Sequence, residues 1–155
     1  MDHRAKVLTV STSAYRGTRR DESGASVSAC LLEARFSVVA RALVPDGLDA
    51  VAGALSTMSR DFCGLVVTTG GTGFAPSDVT PEATLSVIDR EAPGLAELSR
   101  SASSLGGLSR GRAGTLGGCL ILNLPGSPKG AMESLESVLP ILPHALDLLS
   151  EKGAH

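Results

Sequence analysis

The chain has 155 residues, of which 43% are hydrophobic and 19% charged, so it can fold as one domain around an apolar core. Its formal net charge is −2 and its longest basic run is Arg19-Arg20, which argues against nucleic-acid binding through phosphate neutralisation. With no Trp, one Tyr and three Phe, the core must be built from aliphatic side chains.

The cysteines and the apolar runs of the sequence indicate the cellular compartment of the protein. The three cysteines, Cys30, Cys63 and Cys119, lie far apart in apolar stretches, a pattern typical of buried reduced thiols rather than of a disulfide framework or zinc site. No apolar run is long enough to span a membrane. The first residues, MDHRAKV, lack the hydrophobic segment of a signal peptide. The sequence therefore predicts a cytoplasmic protein without a membrane partner.

The first predicted element is a buried strand at residues 6–12, because this run is short, apolar and rich in β-branched side chains. The loop AYRGTRRDESG follows it. Its length and charge suit either a functional loop or a solvated connection. Ser11 and Ser13, at the end of the strand, are candidates for hydroxyl contacts with a ligand.

The rest of the chain alternates between strand and helix. Further strands are predicted at residues 37–44, 63–69 and within 117–128. Helices are predicted at residues 24–34, 48–58, 81–90 and 95–103, with two closing helices between 131 and 149. Residues 105–114, LGGLSRGRAG, are predicted as a flexible loop. This alternation implies right-handed βαβ units and a mostly parallel sheet, the α/β fold class.

The segment TTGGTGFAPSDVTPEAT, residues 68–84, carries the strongest ligand-binding pattern. Gly70, Gly71 and Gly73 let the backbone adopt positive φ and approach a ligand closely. Their amides, together with the start of a helix that Thr80 is expected to cap, would form an anion site. Neither the dinucleotide-binding fingerprint nor the P-loop is matched, so a glycine-rich turn stays the alternative.

Two aspartates lie on loops that should converge. Asp46 follows the second predicted strand and Asp78 follows the glycine loop, while Gly126-Ser127-Pro128-Lys129 ends the fourth strand and opens a helix. In open parallel sheets, ligands bind at the carboxyl ends of the strands. Two carboxylates beside a phosphate site suit Mg²⁺ and phosphoryl or nucleotidyl transfer. Each aspartate alone also fits a structural role in a turn or at a helix start.

Four segments together resemble a known family. TTGGTGFAPSDVTPEAT, VPD (44–46), LSR (108–110) and LILNLPGSPKG (120–130) occur in this order. The combination is similar to the molybdopterin adenylyltransferases, the MogA/MoaB group of molybdenum-cofactor biosynthesis. The resemblance extends over residues 6–149, nearly the whole chain.

The resemblance implies one molybdopterin-binding domain over residues 1–155, with a three-layer α/β/α fold and a mostly parallel sheet. It implies a homotrimer, hexameric in some members, and a Mg²⁺-dependent reaction of ATP with molybdopterin that yields adenylyl-molybdopterin and pyrophosphate. The product would pass to a molybdate-inserting protein or domain. Catalysis and metal binding are assigned to Asp46 and Asp78. The predicted substrate- and nucleotide-binding residues are Ser11, Ser13, Gly70, Gly71, Thr72, Gly73, Thr80, Gly126, Ser127 and Lys129.

The chain departs from the family pattern at two positions. Many members have Arg where this chain has Ser77, and Ser-Asp where it has Ser13-Ala14. Arginines at positions 16, 19 and 20 are candidates to replace the missing cation. The departures keep open a catalytically silent, pterin-binding scaffold or carrier. A generic nucleotide-binding oxidoreductase is disfavoured because its fingerprint is absent. Whether Arg110 and Lys129 contact the pterin or only solvent is left open.

Overall fold

Six strands form one sheet in the part of the chain that the computed structural model describes, residues 3–150. The strands are β1 (His3–Val10), β2 (Phe36–Val44), β3 (Gly64–Thr69), β4 (Arg90–Glu91), β5 (Ala113–Leu116) and β6 (Cys119–Leu124). Their order across the sheet is β2-β1-β3-β6-β5-β4. The first four in this order are mutually parallel, whereas β5 runs antiparallel to β6 and β4 antiparallel to β5. The predicted α/β class with a mostly parallel sheet is confirmed.

Helices cover both faces of the sheet and complete the three layers. They are α1 (Thr12–Tyr15), α2 (Glu22–Glu33), α3 (Leu48–Ser59), α4 (Thr80–Val87), α5 (Pro93–Arg100), α6 (Pro128–Val138) and α7 (Leu142–Leu149). Apolar side chains of α2, α5, α6 and α7 belong to one core cluster, and those of α3 and α4 to the other. Because successive strand residues point to opposite faces, Val7 lies in the first cluster and Leu8 in the second.

The central strands are buried in the way that is typical of a parallel sheet. Every residue of β3 and β6 is buried, as expected for strands covered by helices on both faces. Their apolar runs, GLVVTT and CLILNL, are therefore continuous rather than alternating. This arrangement places the loops after β1, β2, β3 and β6 at one edge of the sheet.

The predicted strand at residues 6–12 is too long at its carboxyl end. β1 ends at Val10, and Ser11 caps the short helix α1 by accepting a hydrogen bond from the Ala14 amide at 3.2 Å. Thr12 was predicted as strand but begins this helix. Local side-chain-to-backbone bonding thus outweighed β propensity, as is common for serine at a helix start.

The predictions for the region after α4 were wrong in two places. The helix predicted at residues 81–90 ends at Val87, and Arg90–Glu91 forms β4 instead. The predicted flexible loop at 105–114 contains the end of a 3₁₀ helix, Ser104–Leu108, and the start of β5. The short edge strand β4 pairs with β5, and such pairing depends on residues distant in sequence.

Of the three cysteines, Cys30 and Cys119 are buried as predicted, but Cys63 is exposed. The prediction for Cys63 was wrong because β3 begins one residue later, so this side chain lies outside the covered strand. Between residues 3 and 150, no helix combines the length and the apolar character needed to cross a bilayer.

Candidate active site

The loops after the four parallel strands are joined to one another by hydrogen bonds. The Ser11 amide donates to the Val44 carbonyl at 3.0 Å, which links the ends of β1 and β2. The Gly70 amide donates to the Leu124 carbonyl at 3.2 Å, which links the ends of β3 and β6. The Thr69 hydroxyl also donates to the Pro125 carbonyl at 2.6 Å. These bonds tie the end of β1 to that of β2, and the end of β3 to that of β6.

A cavity of about 610 Å³ opens at this edge, and both Asp46 and Asp78 line it. Six of the predicted binding residues line it as well: Ser11, Ser13, Gly70, Gly71, Gly126 and Ser127. The two carboxylates, 32 positions apart in the sequence, therefore share one pocket. This is the arrangement that a cation bridging two loops requires.

Asp46 is held through one of its two carboxylate oxygens. Oδ2 accepts hydrogen bonds from the Thr12 hydroxyl at 2.8 Å and from the Thr12 amide at 3.3 Å. Among residues 3–150, no group donates to Oδ1. Oδ1 lies next to Gly71, since a Cβ placed on that glycine would come within 3.3 Å of it. One oxygen is thus fixed and the other is available to a ligand beside the glycine loop.

Asp78 closes a tight turn. Its amide donates to the Ala75 carbonyl at 2.9 Å, and its Oδ2 accepts from the Ala75 amide at 3.0 Å. A side chain on Gly73 would approach Oδ2 to 2.9 Å, so a glycine at this position leaves the carboxylate room. Oδ1 of Asp78 receives no hydrogen bond from the described part of the chain.

The glycine loop combines positive φ angles with unpaired amides. Gly70 has a φ of +102° and Gly71 a φ of +69°. A Cβ on Gly70 would overlap the Val10 carbonyl, and one on Gly71 would overlap the Thr80 hydroxyl. Within residues 3–150, the amides of residues 71–73 donate to no protein acceptor. Successive free amides of this kind form a concave site for anions.

Thr80 makes hydrogen bonds to the glycine loop and does not cap α4. The prediction that it caps α4 was wrong: the cap position is Val79, with no side-chain hydrogen bond. The Thr80 hydroxyl instead donates to the Gly70 carbonyl and its amide to the Gly71 carbonyl, both at 3.0 Å. Thr80 is fully buried and does not line the cavity, so it supports the glycine loop from the protein interior.

A second cavity of about 490 Å³ adjoins the first. The residues common to both are Gly71, Asp78, Gly126 and Ser127. Two further predicted residues of the glycine loop, Thr72 and Gly73, line the second cavity. So do Lys129, whose side chain is 90% exposed, and the segment 103–109 except residue 107. The aspartate at position 78 therefore lies where the two cavities meet.

Several lining residues were not among the predicted site residues. They include Thr12, Asp21, Glu22 and Ser23, whereas Arg19 and Arg20, which also line the cavity, were candidates only to replace the missing cation. The charge of the loop after β1 was the available signal for the two arginines. Asp21 caps α2 by accepting from the Gly24 amide at 2.9 Å, and the Ser23 hydroxyl donates to the Gly126 carbonyl. These bonds bring the loop and the start of α2 to the cavity.

The donor set at the first cavity fits a cation that is shared with a substrate. Between residues 3 and 150, no cluster of three or more His, Cys, Asp or Glu side chains could hold a metal ion. Two carboxylates with free oxygens are present, Asp46 beside Gly71 and Asp78 beside Gly73. Mg²⁺ commonly binds through one or two carboxylates, with substrate phosphates and water as its other ligands. The residues therefore suit Mg²⁺ bound together with a phosphate ligand.

Comparison with known proteins gives the family. Residues 6–144 match the family described as a probable molybdopterin binding domain. The chain is 40% identical over 155 residues to the molybdopterin adenylyltransferase of Helicobacter pylori strain J99, covering 92% of this chain and 85% of that protein. It is 38% identical over 152 residues to the molybdenum cofactor synthesis protein cinnamon of Drosophila melanogaster, covering 94% of this chain but 25% of that protein.

Solved structures agree with this assignment. The molybdopterin biosynthesis enzyme MoaB from Thermus thermophilus superposes with a TM-score of 0.91 and is 49% identical, with 96% of each chain covered. The structure thus combines a parallel sheet, two joined cavities and a glycine loop between the aspartates. The chain belongs to the molybdopterin-binding-domain family of molybdenum-cofactor biosynthesis.

Proposed function

We propose that this protein is a nucleotidyltransferase that adenylylates molybdopterin, using ATP and Mg²⁺ and releasing pyrophosphate. Relatives of similar length from Helicobacter pylori and Escherichia coli are named molybdopterin adenylyltransferases. The observation that carries the proposal is the shared pocket of Asp46 and Asp78, each with a free carboxylate oxygen beside unpaired loop amides. This combination suits a polyphosphate with its cation.

The proposed step is one in-line displacement. A terminal phosphate oxygen of molybdopterin forms a bond to the α-phosphorus of ATP, and the bond from that phosphorus to the bridging oxygen breaks. Pyrophosphate leaves with the bonding electron pair, and no covalent intermediate with the enzyme is needed. Mg²⁺, when bound, neutralises charge on the phosphates. Catalysis is then positioning plus electrostatic stabilisation.

The chain contributes three kinds of group to this step. Asp46, beside Gly71, and Asp78, beside Gly73, hold the cation. The unpaired amides of residues 71–73 bind phosphate oxygens. Arg19 and Arg20 line the first cavity and supply positive charge there, whereas Arg16 does not line it. Either arginine would take the place of the cation that is absent at Ser77.

Two substrates need two binding spaces that meet at the reacting atoms. The first cavity measures about 610 Å³ and the second about 490 Å³, and they join at Gly71, Asp78, Gly126 and Ser127. Each volume lies in the range usual for small-molecule sites. We therefore infer that one substrate occupies each cavity and that their phosphates meet beside Asp78.

The alternative is a carrier that binds pterin without catalysis. Ser77 and Ala14 favour it, because both replace charged residues that are common in the family. The retained aspartate pair with its free oxygens favours the enzyme. Incubating the protein with molybdopterin, ATP and Mg²⁺ separates the two. We expect pyrophosphate to be released in proportion to the molybdopterin consumed. Pterin binding without pyrophosphate release would leave only the carrier.

Three further proposals concern context, the compartment from the sequence and the assembly and acceptor from the resemblance. We propose that the protein is cytoplasmic, that it assembles as a homotrimer or a hexamer, and that its product passes to a molybdate-inserting protein. Relatives in which this domain is part of a longer chain, such as cinnamon, are compatible with transfer to a neighbouring domain. Sedimentation velocity measures the assembly directly, and a monomer in solution would contradict the second proposal.

A further inference from the structure

Arg110 lies outside the lining of both cavities but contacts the loop that carries Asp78. We propose that Arg110 is a positioning residue that holds the glycine loop and Asp78 in the geometry needed to bind the divalent cation. This inference rests on the proposed function.

The guanidinium joins Gly73, which precedes the turn at residues 75–78, to Asp78, which closes that turn. Nε donates to the Gly73 carbonyl at 2.8 Å, and Nη2 donates to the Asp78 carbonyl at 2.6 Å. The Arg110 amide also donates to the Thr72 carbonyl at 2.8 Å. One residue therefore holds the loop at three carbonyl groups, which restricts the separation of residues 73 and 78.

Glu82, in the first turn of α4, holds the guanidinium in this orientation. Nη1 of Arg110 contacts Oε2 at 2.6 Å and Nη2 contacts Oε1 at 3.2 Å, a bidentate pair. The hydrogen bond from Arg110 lowers the pKa of Glu82 below its ordinary value, so the pair is ionised at neutral pH. The Arg110 side chain is thereby connected to both the helix and the turn.

The Arg110–Glu82 ion pair acts by orienting the turn that carries Asp78, and it contributes little to the free energy of unfolding. The side chains of Arg110 and Glu82 are 36% and 49% exposed, and ion pairs that exposed are screened by water and salt. The planar fork of arginine can reach two carbonyls and a carboxylate at once, whereas the single ammonium of lysine cannot. Replacing Arg110 by lysine should therefore loosen the turn while the charge is kept.

Arg110 also connects the turn with the wall of the second cavity. It follows directly after Ser109, the last residue of the segment 103–109 that lines that cavity. Its side chain therefore links this segment of the chain to Asp78, which lines both cavities. Removing a group that hydrogen-bonds to a metal-binding residue and orients it typically changes metal affinity about 10- to 100-fold.

The test compares Arg110→Lys with Arg112→Lys in the full-length protein. Arg112 is a matched control because its guanidinium pairs with Glu91 at 2.7 Å and lines neither cavity. We expect Arg110→Lys alone to speed amide hydrogen exchange at Ala75, Asp78 and Thr80, whose amides are hydrogen-bonded within this segment. The Mg²⁺ concentration for half-maximal pyrophosphate release should rise about tenfold, and excess Mg²⁺ should restore the rate.

Mn²⁺ binding followed by electron paramagnetic resonance provides a readout that is independent of turnover. We expect the Mn²⁺ dissociation constant to rise about tenfold in Arg110→Lys and to stay at the wild-type value in Arg112→Lys. If wild type releases no pyrophosphate but this shift is seen, the proposed function fails and the role of Arg110 stands. If wild type is active and Arg110→Lys matches it in exchange, Mg²⁺ dependence and Mn²⁺ affinity, the role of Arg110 is overturned.

A slower rate that excess Mg²⁺ does not restore would also overturn the proposal, because the defect would then lie elsewhere than in cation binding. Glu82→Gln provides a second variant, since it removes the charge that orients the guanidinium but leaves Arg110 in place. We expect it to shift the Mg²⁺ requirement in the same direction and by less. Wild-type Mn²⁺ affinity in both variants would contradict the inference.

Discussion

Thr12 and Asp46 are joined by reciprocal hydrogen bonds across the ends of β1 and β2. The Thr12 hydroxyl donates to Oδ2 of Asp46 at 2.8 Å and accepts from the Asp46 amide at 3.1 Å. A single hydroxyl thereby fixes both the backbone and the carboxylate of Asp46. The other carboxylate oxygen is left beside Gly71, where a phosphate-bound cation would lie.

Replacing Thr12 by valine should reduce activity through this contact. Valine keeps the shape but removes the hydroxyl, so Oδ2 of Asp46 keeps only the 3.3 Å bond from the residue 12 amide and the Asp46 amide loses its acceptor. We expect pyrophosphate release to fall about tenfold and the free energy of unfolding to fall by about 1 kcal/mol. The control is Thr57→Val, an exposed threonine of α3, which should change neither quantity. An unchanged rate in Thr12→Val would mean that Asp46 needs no support from Thr12.

Replacing Asp78 by asparagine should nearly abolish activity. Asparagine keeps the size of the side chain but removes the negative charge that is proposed to bind Mg²⁺. We expect pyrophosphate release to fall on the order of a hundredfold or more, with circular dichroism unchanged. Asp89→Asn is a matched control, because Asp89 accepts from the Gly117 amide and lines neither cavity. Full activity in Asp78→Asn would exclude the metal role.

The same Gly-to-Ala substitution should have opposite effects at two positions. Gly71 has a φ of +69° and its Cβ would meet the Thr80 hydroxyl, so Gly71→Ala should destabilise the fold by about 1–2 kcal/mol. Gly53 lies in α3 with no atom within 4 Å of the position that a Cβ would occupy, so Gly53→Ala should stabilise the fold by about 0.5–1 kcal/mol. Urea denaturation measures both. A neutral Gly71→Ala would contradict the strained geometry described for this loop.

Replacing Arg19 and Arg20 together by glutamine should weaken substrate binding. Both line the first cavity, and charge-assisted hydrogen bonds to phosphate are stronger than neutral ones. We expect KM for ATP to rise about tenfold, and the rise to shrink at high salt. Arg16→Gln is the control, since Arg16 is in the same loop but does not line the cavity. Equal KM values for the double variant and the control would show that neither arginine replaces the cation missing at Ser77.

The order of the main elements could be predicted from the sequence because it depends on local patterns. Apolar runs such as those of β3 and β6 and the helical spacing in α2 and α3 reflect burial that repeats along the chain. The positions of glycines and prolines indicated where the strands end and the loops begin. Because parallel strands end at a common edge, the proximity of Asp46 and Asp78 followed from the same reasoning.

The missed features depend on contacts between residues that are distant in sequence. The pairing of β4 with β5 joins segments with no apolar pattern of their own. Local propensity also cannot show that the Thr80 hydroxyl bonds to Gly70 instead of capping α4, or that Arg19 and Arg20 reach the cavity whereas Arg16 does not.

The sequence by itself therefore determined the α/β class, the parallel core, the family resemblance and the two aspartates, since each is encoded in composition, periodicity or a short motif. Only the tertiary structure decided how those aspartates are held. Thr12, at the start of α1, supports Asp46 in the loop after β2, and Arg110 donates to the carbonyl of Asp78, 32 positions earlier. Such hydrogen bonds form where the fold happens to bring partners within about 3 Å, and no one-dimensional pattern specifies that distance.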